Sequence, residues 1–551
     1  ATSTNLTLDY NDYYVSGTGK ILAYYASTNK TVLPVFAGSD THSYNVSPTF
    51  INPSGTAITD YKIGTSLQGV SIATVTTDIN GAARTIPTIG VWEQVLAMWK
   101  GTFSDNWSLA SNWTSGVVPG EGADIQFDPA TVNNCKMNSG TNRTINNLIN
   151  HTNYDVVVNG NKLTIKGDLD LNNGGQIDAT ADGSIIEFAG VSQQTIPVSS
   201  LYNNTVDDLI ISNANNVVLA SDLNIAGSLS STSGRLDAYT QTPTVSYIGL
   251  EAQTIGSGLY LDDKIHQLTI DNAVGVTLNA DITVNDLLTI NNSKKLIVST
   301  SRLMNVEGEI TNNAGVDGIL LKSSSTEANG SLIFHNDPGN PVLASVQLTS
   351  KAGYVNPNYK WQYIGIPFTS LVNLPTFYGA YVRKYNEAGT NAGTLPTNRW
   401  IQLAAYTTML PVEGYEVCQK TYAVPYTYHM SGQLINSTVN RSLAYTSGAQ
   451  APGQHIISNP YTAAIDITQI DFGANMDNAV YLYSTGSYAD YLANNGIEGS
   501  NPGQYLAVPV NLAGSGGLPG QISSMQGFLV KTSANTSISI PYSSVIQKNN
   551  L

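Results

Sequence analysis

Charged residues and cysteines are scarce in this chain of 551 residues. Asp, Glu, Lys and Arg together make up 11% of the sequence, whereas an ordinary soluble domain has roughly 25%. The two cysteines, Cys135 and Cys418, are too few and too far apart for a disulfide framework. Burial of apolar side chains must therefore provide the stability. No apolar run approaches the roughly 18 residues of a membrane-spanning helix, so we expect no membrane span.

The charge that the sequence does carry is mostly negative. With 39 acidic and 24 basic residues, the formal net charge is −15. A surface of this sign does not neutralise phosphates, so we expect no nucleic acid partner. The chain begins with Ala1 and has no apolar segment of the signal type, which fits a processed or truncated secreted protein.

Glycine, tyrosine and small polar residues take the place of charge. The sequence contains 49 Gly and 31 Tyr and few strong helix formers, a composition that favours strands and turns. Hydrophobic residues reach 41% and recur at alternate positions, which argues against disorder. The sequence therefore predicts an all-β protein.

A repeat is the strongest pattern in the sequence. Residues 194–196 recur as 253–255, and residues 209–214 recur as 268–273, both at a spacing of 59. A unit of this length suits three coils of about 20 residues, with apolar and polar side chains alternating and Asn or Asp at the corners. The repeat thus predicts a parallel β-helix in which each coil buries its inward side chains on its neighbours. The inward residues are predicted to include Leu209, Ile211, Leu219, Leu223, Ile225, Leu268, Ile270, Leu278 and Ile282.

Three tryptophans, Trp99, Trp107 and Trp113, precede the repeats. They could form a hydrophobic plug that closes the open end of the stack. Alternatively, exposed tryptophan faces could stack on sugar rings. We favour the plug because large aromatic side chains are more often buried than exposed.

A second, weaker duplication follows residue 350. Residues 361–368 resemble 454–461, and residues 413–417 resemble 526–530, in the same order. Two related β-sandwich-like units are the simplest explanation. The predicted organisation is a small β domain at 1–95 with strands at 20–25 and 31–36, a Trp-rich cap of the solenoid at 96–120, parallel β-helix repeats at 121–348, and β-sandwich-like units at 349–448 and 449–551.

The strongest candidate for a metal site is an acidic segment. Asp168, Asp170 and Asn172 alternate like the first oxygen ligands of a calcium loop. However, the sixth position is Asn173 instead of Gly, and the twelfth is Ala179 instead of Glu. These residues are weak candidates, and calcium is the one metal they suggest; we expect no other cofactor. The six histidines lack metal-ligand spacing, and there is no HExxH or GxSxG motif.

A glycan-binding or polysaccharide-cleaving protein is the alternative to a scaffold. Parallel β-helices also host lyases and glycosidases, and the latter need two suitably separated carboxylates. The acidic pairs at 207–208 and 262–263 lie at predicted corners, and nothing in the sequence pairs them across coils. Tyr422, Tyr426, Tyr428 and the tyrosines at 481–491 could stack on glycan rings, although Tyr is also common in half-buried strands. We predict no catalysis.

Several motifs resemble those of a known family. Residues 99–127, with a W-x-G…W…NW…VP pattern, resemble a segment that precedes β-helical repeats in large secreted proteins of Bacteroidota. The Asn-Pro-Tyr at 459–461 and the QGFLVK at 526–531 resemble two further signatures of these proteins. The resemblance covers about residues 99–540. It implies an exported, adhesin-like or structural protein, commonly cargo of the type IX secretion pathway.

The resemblance also implies a location and partners. We predict an extracellular or cell-surface scaffold, exported by a bacterium, whose partners are surface proteins or glycans and the secretion machinery of the outer membrane. Two departures from the family pattern stand out. The sequence given does not include the expected C-terminal sorting domain after 526–531, which we expect to have been cleaved or left out, and residues 1–95 match no part of the pattern.

Overall fold

The computed structural model describes residues 8–15, 19–36, 38–45, 74–79, 84, 98–389, 399–421, 424–494 and 499–548. The protein is nearly all β, with 44% strand and 5% helix, and contains a β-solenoid of about 10 turns together with other β sheets. The predicted fold class is thereby confirmed. The chain divides into two compact units, Ala1–Asp178 and Ala179–Leu551. In the described residues, no helix is both long enough and apolar enough to span a membrane.

The strands are numbered in chain order. Those that begin before residue 180 are β1 Ala23–Tyr25, β2 Thr28–Lys30, β3 Met98–Trp99, β4 Ala123–Phe127, β5 Cys135–Lys136, β6 Arg143–Asn150, β7 Val156–Val157, β8 Lys162–Ile165, β9 Leu169–Leu171 and β10 Ile177–Ala179. The next are β11 Ile185–Phe188, β12 Gln194–Ile196, β13 Leu201–Val206, β14 Asp208–Ile211, β15 Val217–Leu219, β16 Leu223–Ile225, β17 Leu229–Ser231, β18 Leu236–Ala238, β19 Thr244–Tyr247, β20 Gln253–Ile255, β21 Tyr260–Ile270, β22 Val276–Leu278, β23 Ile282–Ile290, β24 Leu296–Val298, β25 Leu303–Val306, β26 Glu309–Asn312, β27 Ile319–Leu321 and β28 Ser331–Phe334.

The remaining strands belong to the C-terminal part of the second unit. They are β29 Leu343–Ser350, β30 Tyr354–Val355, β31 Asn358–Ile364, β32 Leu371–Val372, β33 Ala380–Tyr385, β34 Trp400–Gln402, β35 Thr408–Met409, β36 Tyr415–Gln419, β37 Tyr426–Gln433, β38 Val439–Leu443, β39 Gln454–Ser458, β40 Ala464–Asp466, β41 Asp471–Phe472, β42 Ala479–Tyr483, β43 Gly486–Ser487, β44 Tyr505–Pro509, β45 Gln521–Ile522, β46 Gly527–Lys531, β47 Thr536–Ile540 and β48 Val545–Gln547. The α-helices of the described residues are α1 Asn373–Thr376 and α2 Tyr488–Ala493, and the 3₁₀-helices are Ala110–Asn112, Gly315–Asp317, Ile467–Gln469, Val510–Leu512 and Tyr542–Ser544.

The first unit begins with a short hairpin. Ala26 and Ser27 have φ angles of 50° and 59°, and a two-residue hairpin turn of type I′ requires positive φ angles at both positions. β1 pairs antiparallel with β2 across this turn. The predicted strand at 20–25 is confirmed for Ala23–Tyr25. The predicted strand at 31–36 is wrong, because the partner strand is Thr28–Lys30 and Pro34 in the predicted segment has no N–H to donate. Most of the predicted β domain at 1–95 lies outside the described residues.

The three tryptophans of the first unit form a buried cluster. Trp99, Trp107 and Trp113 are 0%, 1% and 2% exposed, and Trp113 meets both of the others edge to face at 5.1 and 5.3 Å between ring centroids. The indole Nε1 of Trp113 donates to the carbonyl of Trp107 at 2.7 Å. The interpretation as an exposed sugar-stacking surface is therefore wrong, and the burial agrees with a hydrophobic plug.

Parallel strands then stack in the first unit. β3, β4, β6 and β8 are neighbours in one sheet, and β5, β7 and β10 in another. Leu148 of β6 is in register with Ile125 of β4 and Leu169 of β9. Ile125 and Leu148 are fully buried, so successive coils place their apolar side chains on one another.

The second unit repeats this stacking with the predicted period. Leu209 pairs with Leu229, Leu268 with Leu288, and Val217 with Leu236, all in parallel register. Residues of neighbouring coils are thus about 20 apart, which confirms the predicted coil length. The nine residues predicted to point inward are all at most 2% exposed, so the predicted apolar column is confirmed.

Buried polar side chains brace the corners of the repeat. Asn272 donates from Nδ2 to Gln253 Oε1 at 2.8 Å, and its Oδ1 accepts from the backbone N–H groups of Val274 and Gly275. The pair Asn213 and Gln194 makes the same contact at 2.9 Å. Since the second pair lies 59 residues before the first in sequence, the repeat preserves a polar brace as well as an apolar column.

Beyond the parallel strands, two antiparallel sheets share one strand order. β36 lies between β31 and β33 in the first sheet, and β46 lies between β39 and β42 in the second. These strands contain the segments that are duplicated in the sequence. The duplication is therefore confirmed as a repeated topology, while the predicted bounds of the cap, the repeats and the C-terminal units stay predictions.

Candidate ligand-binding cavity

A cavity of about 1010 Å³ lies between side chains of the two duplicated sheets. This volume is at the upper end of the roughly 300–1,000 Å³ that small-ligand sites occupy. Aromatic rings dominate its lining: Tyr359, Trp361, Tyr363, Tyr385, Trp400, Tyr481, Tyr483, Tyr488, Tyr491 and Tyr505. The polar lining includes Asn358, Arg383, Arg399, Glu416, Gln454, Ser487, Asn494, Gln504 and Lys531.

Strand register explains why these side chains meet. In the first sheet, Glu416 of β36 is opposite Tyr363 of β31 on one side and Arg383 of β33 on the other. Because alternate residues of a strand face the same side, Trp361 and Tyr385 point to the same side of the sheet as Tyr363, Glu416 and Arg383. The second sheet contributes Tyr481 and Tyr483 of β42, Tyr505 of β44 and Lys531 of β46 by the same alternation.

The floor of the cavity is a set of packed tyrosines. The hydroxyl groups of Tyr363 and Tyr505 are 2.5 Å apart, and the ring of Tyr363 stacks on Tyr483 at 4.6 Å between centroids. Burial raises the pKa of Tyr363 and Tyr505 well above the usual range of a phenol. These hydroxyl groups therefore stay protonated and act as neutral hydrogen-bonding groups.

Positive charge exceeds negative charge in the lining. The guanidinium of Arg383 lies 3.7 Å from the ring centroid of Trp361 and contacts the carboxyl group of Glu416. Glu416 is buried, and desolvation raises its pKa to about 8 although Arg383 lowers it. Arg399 contacts neutral groups, with Nη2 donating to the hydroxyl of Tyr385 at 2.7 Å. Lys531 Nζ lies 4.1 Å from the ring centroid of Tyr481.

The rim of the cavity exposes further rings on a single helical turn. Tyr488 and Tyr491 of α2 are 53% and 41% exposed, and their rings are parallel within 19° at 6.2 Å. A capping box fixes the start of this turn, because Ser487 and Asp490 each bond the other's backbone N–H. Two exposed aromatic faces are thus held side by side.

The lining combines groups that are suited to bind a ligand. Flat ring faces, amide side chains and cations can hold a ring-shaped polar ligand with negative charge. Among the described residues that line the cavity, one side chain is acidic, that of Glu416. The second carboxylate that a glycosidase needs is not found in that described lining.

The residues proposed for a metal site lie at the surface of the first unit. Asp168, Asp170 and Asn172 are all exposed, and Asp170 Oδ2 is 3.0 Å from His151 Nε2. Within the ranges that the structure describes, no cluster of three or more His, Cys, Asp or Glu side chains could hold a metal. A calcium site at these three residues stays a prediction.

The tyrosines predicted to stack on glycans divide into two groups. Tyr428 is buried and Tyr426 is 36% exposed, and neither lines the cavity, while Tyr422 lies outside the described residues. Those at 481–491 do line it. Sequence reasoning missed Arg383, Arg399 and Trp400. The signal in the sequence that lay nearest to them was the density of Tyr after residue 350.

Comparisons with known proteins give one informative similarity. No family model matches the chain, and no solved structure matches it. The chain is similar to the minor fimbrium subunit Mfa5 of Porphyromonas gingivalis, with 33% identity over 282 residues, which cover 47% of this chain and 22% of that protein. The chain thus spans about a fifth of the length of the curated relative it matches.

Proposed function

We propose that this chain is a structural, adhesin-like protein of a bacterial surface, without catalytic activity. The solenoid acts as a rigid scaffold, and the aromatic cavity contacts a ligand. The observation that carries the proposal is the 33% identity to a minor fimbrium subunit of Porphyromonas gingivalis. Fimbriae are surface appendages, so a related chain is expected at the cell surface or outside the cell.

The geometry supports both parts of this proposal. A column of side chains such as Leu209, Ile270 and Leu278, each with no exposed surface, gives the solenoid a continuous packed interior. Such an interior resists bending because packed side chains have low compressibility. The rings of Tyr488 and Tyr491 at the cavity rim offer a contact surface of the kind that adhesion requires.

Export and its route rest on the sequence motifs. The segments at 99–127, 459–461 and 526–531 resemble those of secreted proteins of Bacteroidota, and they support export by a bacterium of that group. Passage through the type IX machinery of the outer membrane and binding to surface glycans or proteins are the finer parts of the same proposal.

Deletion and complementation in the bacterium that encodes the chain test the adhesive role. We expect the deletion strain to attach less to host-cell or partner-bacterium layers, and the wild-type gene to restore attachment. A gene with both Tyr488→Ala and Tyr491→Ala should fail to restore it. The control is Tyr378→Ala, since Tyr378 is 77% exposed and is not among the lining residues. Normal attachment of the deletion strain would contradict the proposal.

A further inference from the structure

We infer that the cavity binds an oligosaccharide that carries carboxylate groups, such as a short chain of uronic acid rings. The inference rests on the proposed role of the cavity as a ligand contact and names the class of ligand. Three features of the lining carry it: the arrangement of the rings, the balance of charge, and the kind of polar group.

The rings are arranged for a ligand with several flat faces. Trp400 lies in the wall beside Trp361, whose ring is covered by Arg383, and Tyr488 and Tyr491 lie at the rim with their faces nearly parallel. The C–H face of a pyranose ring packs on such aromatic faces as other apolar surfaces do. A volume of about 1010 Å³ accommodates more than one sugar ring, which matches aromatic faces in both the wall and the rim.

The charge of the cavity is opposite to that of the chain. The protein has a net charge of −15. The described lining of the cavity, however, contains three basic residues, Arg383, Arg399 and Lys531, and one acidic residue, Glu416. Glu416 contacts Arg383, while Arg399 and Lys531 contact uncharged groups among the described residues. A planar guanidinium with neutral partners is suited to bind a carboxylate through two parallel hydrogen bonds.

The polar lining favours a saccharide over a peptide. A peptide commonly binds by adding a strand to an exposed sheet edge, through backbone hydrogen bonds. Here the uncharged polar groups that line the cavity belong mainly to side-chain amides, including Asn358, Gln454 and Asn494. Such groups match the many hydroxyl groups of a sugar, because each can donate and accept hydrogen bonds.

Titration calorimetry with a matched pair of probes tests the inference. The first probe is trigalacturonic acid, and the second is its fully methyl-esterified form, in which a neutral methyl ester replaces each of the three carboxylates. We expect the full chain to bind the acid about tenfold more tightly than the ester, or better. Equal affinity for the two probes would overturn the role of the carboxylates.

Substitutions locate the binding and control for folding. Arg399→Gln and Lys531→Gln should each weaken binding of the acid about tenfold, whereas Lys351→Gln, at an exposed residue that is not in the lining, should leave it unchanged. Tyr488→Ala should weaken both probes by about two- to tenfold, and Tyr378→Ala should weaken neither. Affinities that do not respond to the lining variants would place the ligand elsewhere and overturn the inference.

A third probe distinguishes an error in the class of ligand from an error in the proposed function. Triglutamate serves as a peptide probe of similar charge. Binding of triglutamate without binding of trigalacturonic acid would overturn the saccharide in favour of a peptide. If neither probe binds, the inference is wrong, but the proposed function still stands provided that the Tyr488→Ala, Tyr491→Ala strain loses attachment. Normal attachment by that strain would reject the role of the cavity itself.

Discussion

Replacing Ile270 with Asp is the most direct perturbation of the solenoid interior. Ile270 ends β21 and has no exposed surface, and it is in register with Tyr247 of β19 and Ile290 of β23. Both neighbours are also buried. The substitution therefore places a carboxylate between two buried side chains, those of a tyrosine and an isoleucine.

The expected cost has two parts. Loss of the apolar side chain from a packed core costs about 2–5 kcal/mol, as for Ile→Ala. Burial of a carboxylate without a partner adds several kcal/mol unless the group takes up a proton. The sum, upwards of about 5 kcal/mol, is comparable with the roughly 5–15 kcal/mol that stabilises a folded protein. We therefore expect the Ile270→Asp chain to lose its solenoid structure.

Thr269→Asp is the matched control. Thr269 precedes Ile270 in the same strand and is half-buried on the opposite face, so an aspartate there reaches water. Its cost should be about 1 kcal/mol or less. Urea denaturation followed by circular dichroism compares the free energies of unfolding. If Ile270→Asp destabilises the chain no more than Thr269→Asp does, the inward assignment of β21 is wrong.

Three further predictions follow from buried groups. Asn272→Ala removes the brace to Gln253 and should cost about 1–3 kcal/mol, while Asn279→Ala at an exposed position should cost less; equal costs in urea denaturation would argue against the brace. Trp113→Ala should cost about 3–5 kcal/mol and lower the melting temperature of the first unit, and an unchanged melting curve would mean that the cluster does not stabilise it. Burial raises the pKa of Glu416 from 4.5 to about 8, so the folded chain holds a proton between these pH values that the unfolded chain releases, and stability falls as pH rises through this window. Glu416→Gln should lose that part of the pH dependence in urea denaturation, and an identical pH profile in both chains would contradict the shift.

Local patterns made the solenoid predictable. The alternation of apolar and polar residues around Ile270 determines which side chains point inward, and the 59-residue spacing determines how coils stack. The hairpin at Ala23–Lys30 was harder to place, because Ala26 and Ser27 adopt positive φ angles that neither residue type signals. An apolar run at 31–36 therefore looked like the second strand.

The cavity could not be predicted to the same extent. Tyr363, Arg383 and Glu416 meet through strand pairings between segments that are distant in sequence, and Tyr505 approaches from another sheet. No local spacing encodes such contacts. Only the richness in tyrosine after residue 480 pointed toward the site, and it also fits ordinary half-buried strands.

Surface labelling of intact cells tests the central claim most directly. Antibodies against the purified chain would be applied to unpermeabilised cells of the bacterium that encodes it, with a cytoplasmic protein as the control for cell integrity. The proposed function predicts labelling of intact cells or of material shed from them. Labelling that requires permeabilisation would contradict a surface protein of this kind.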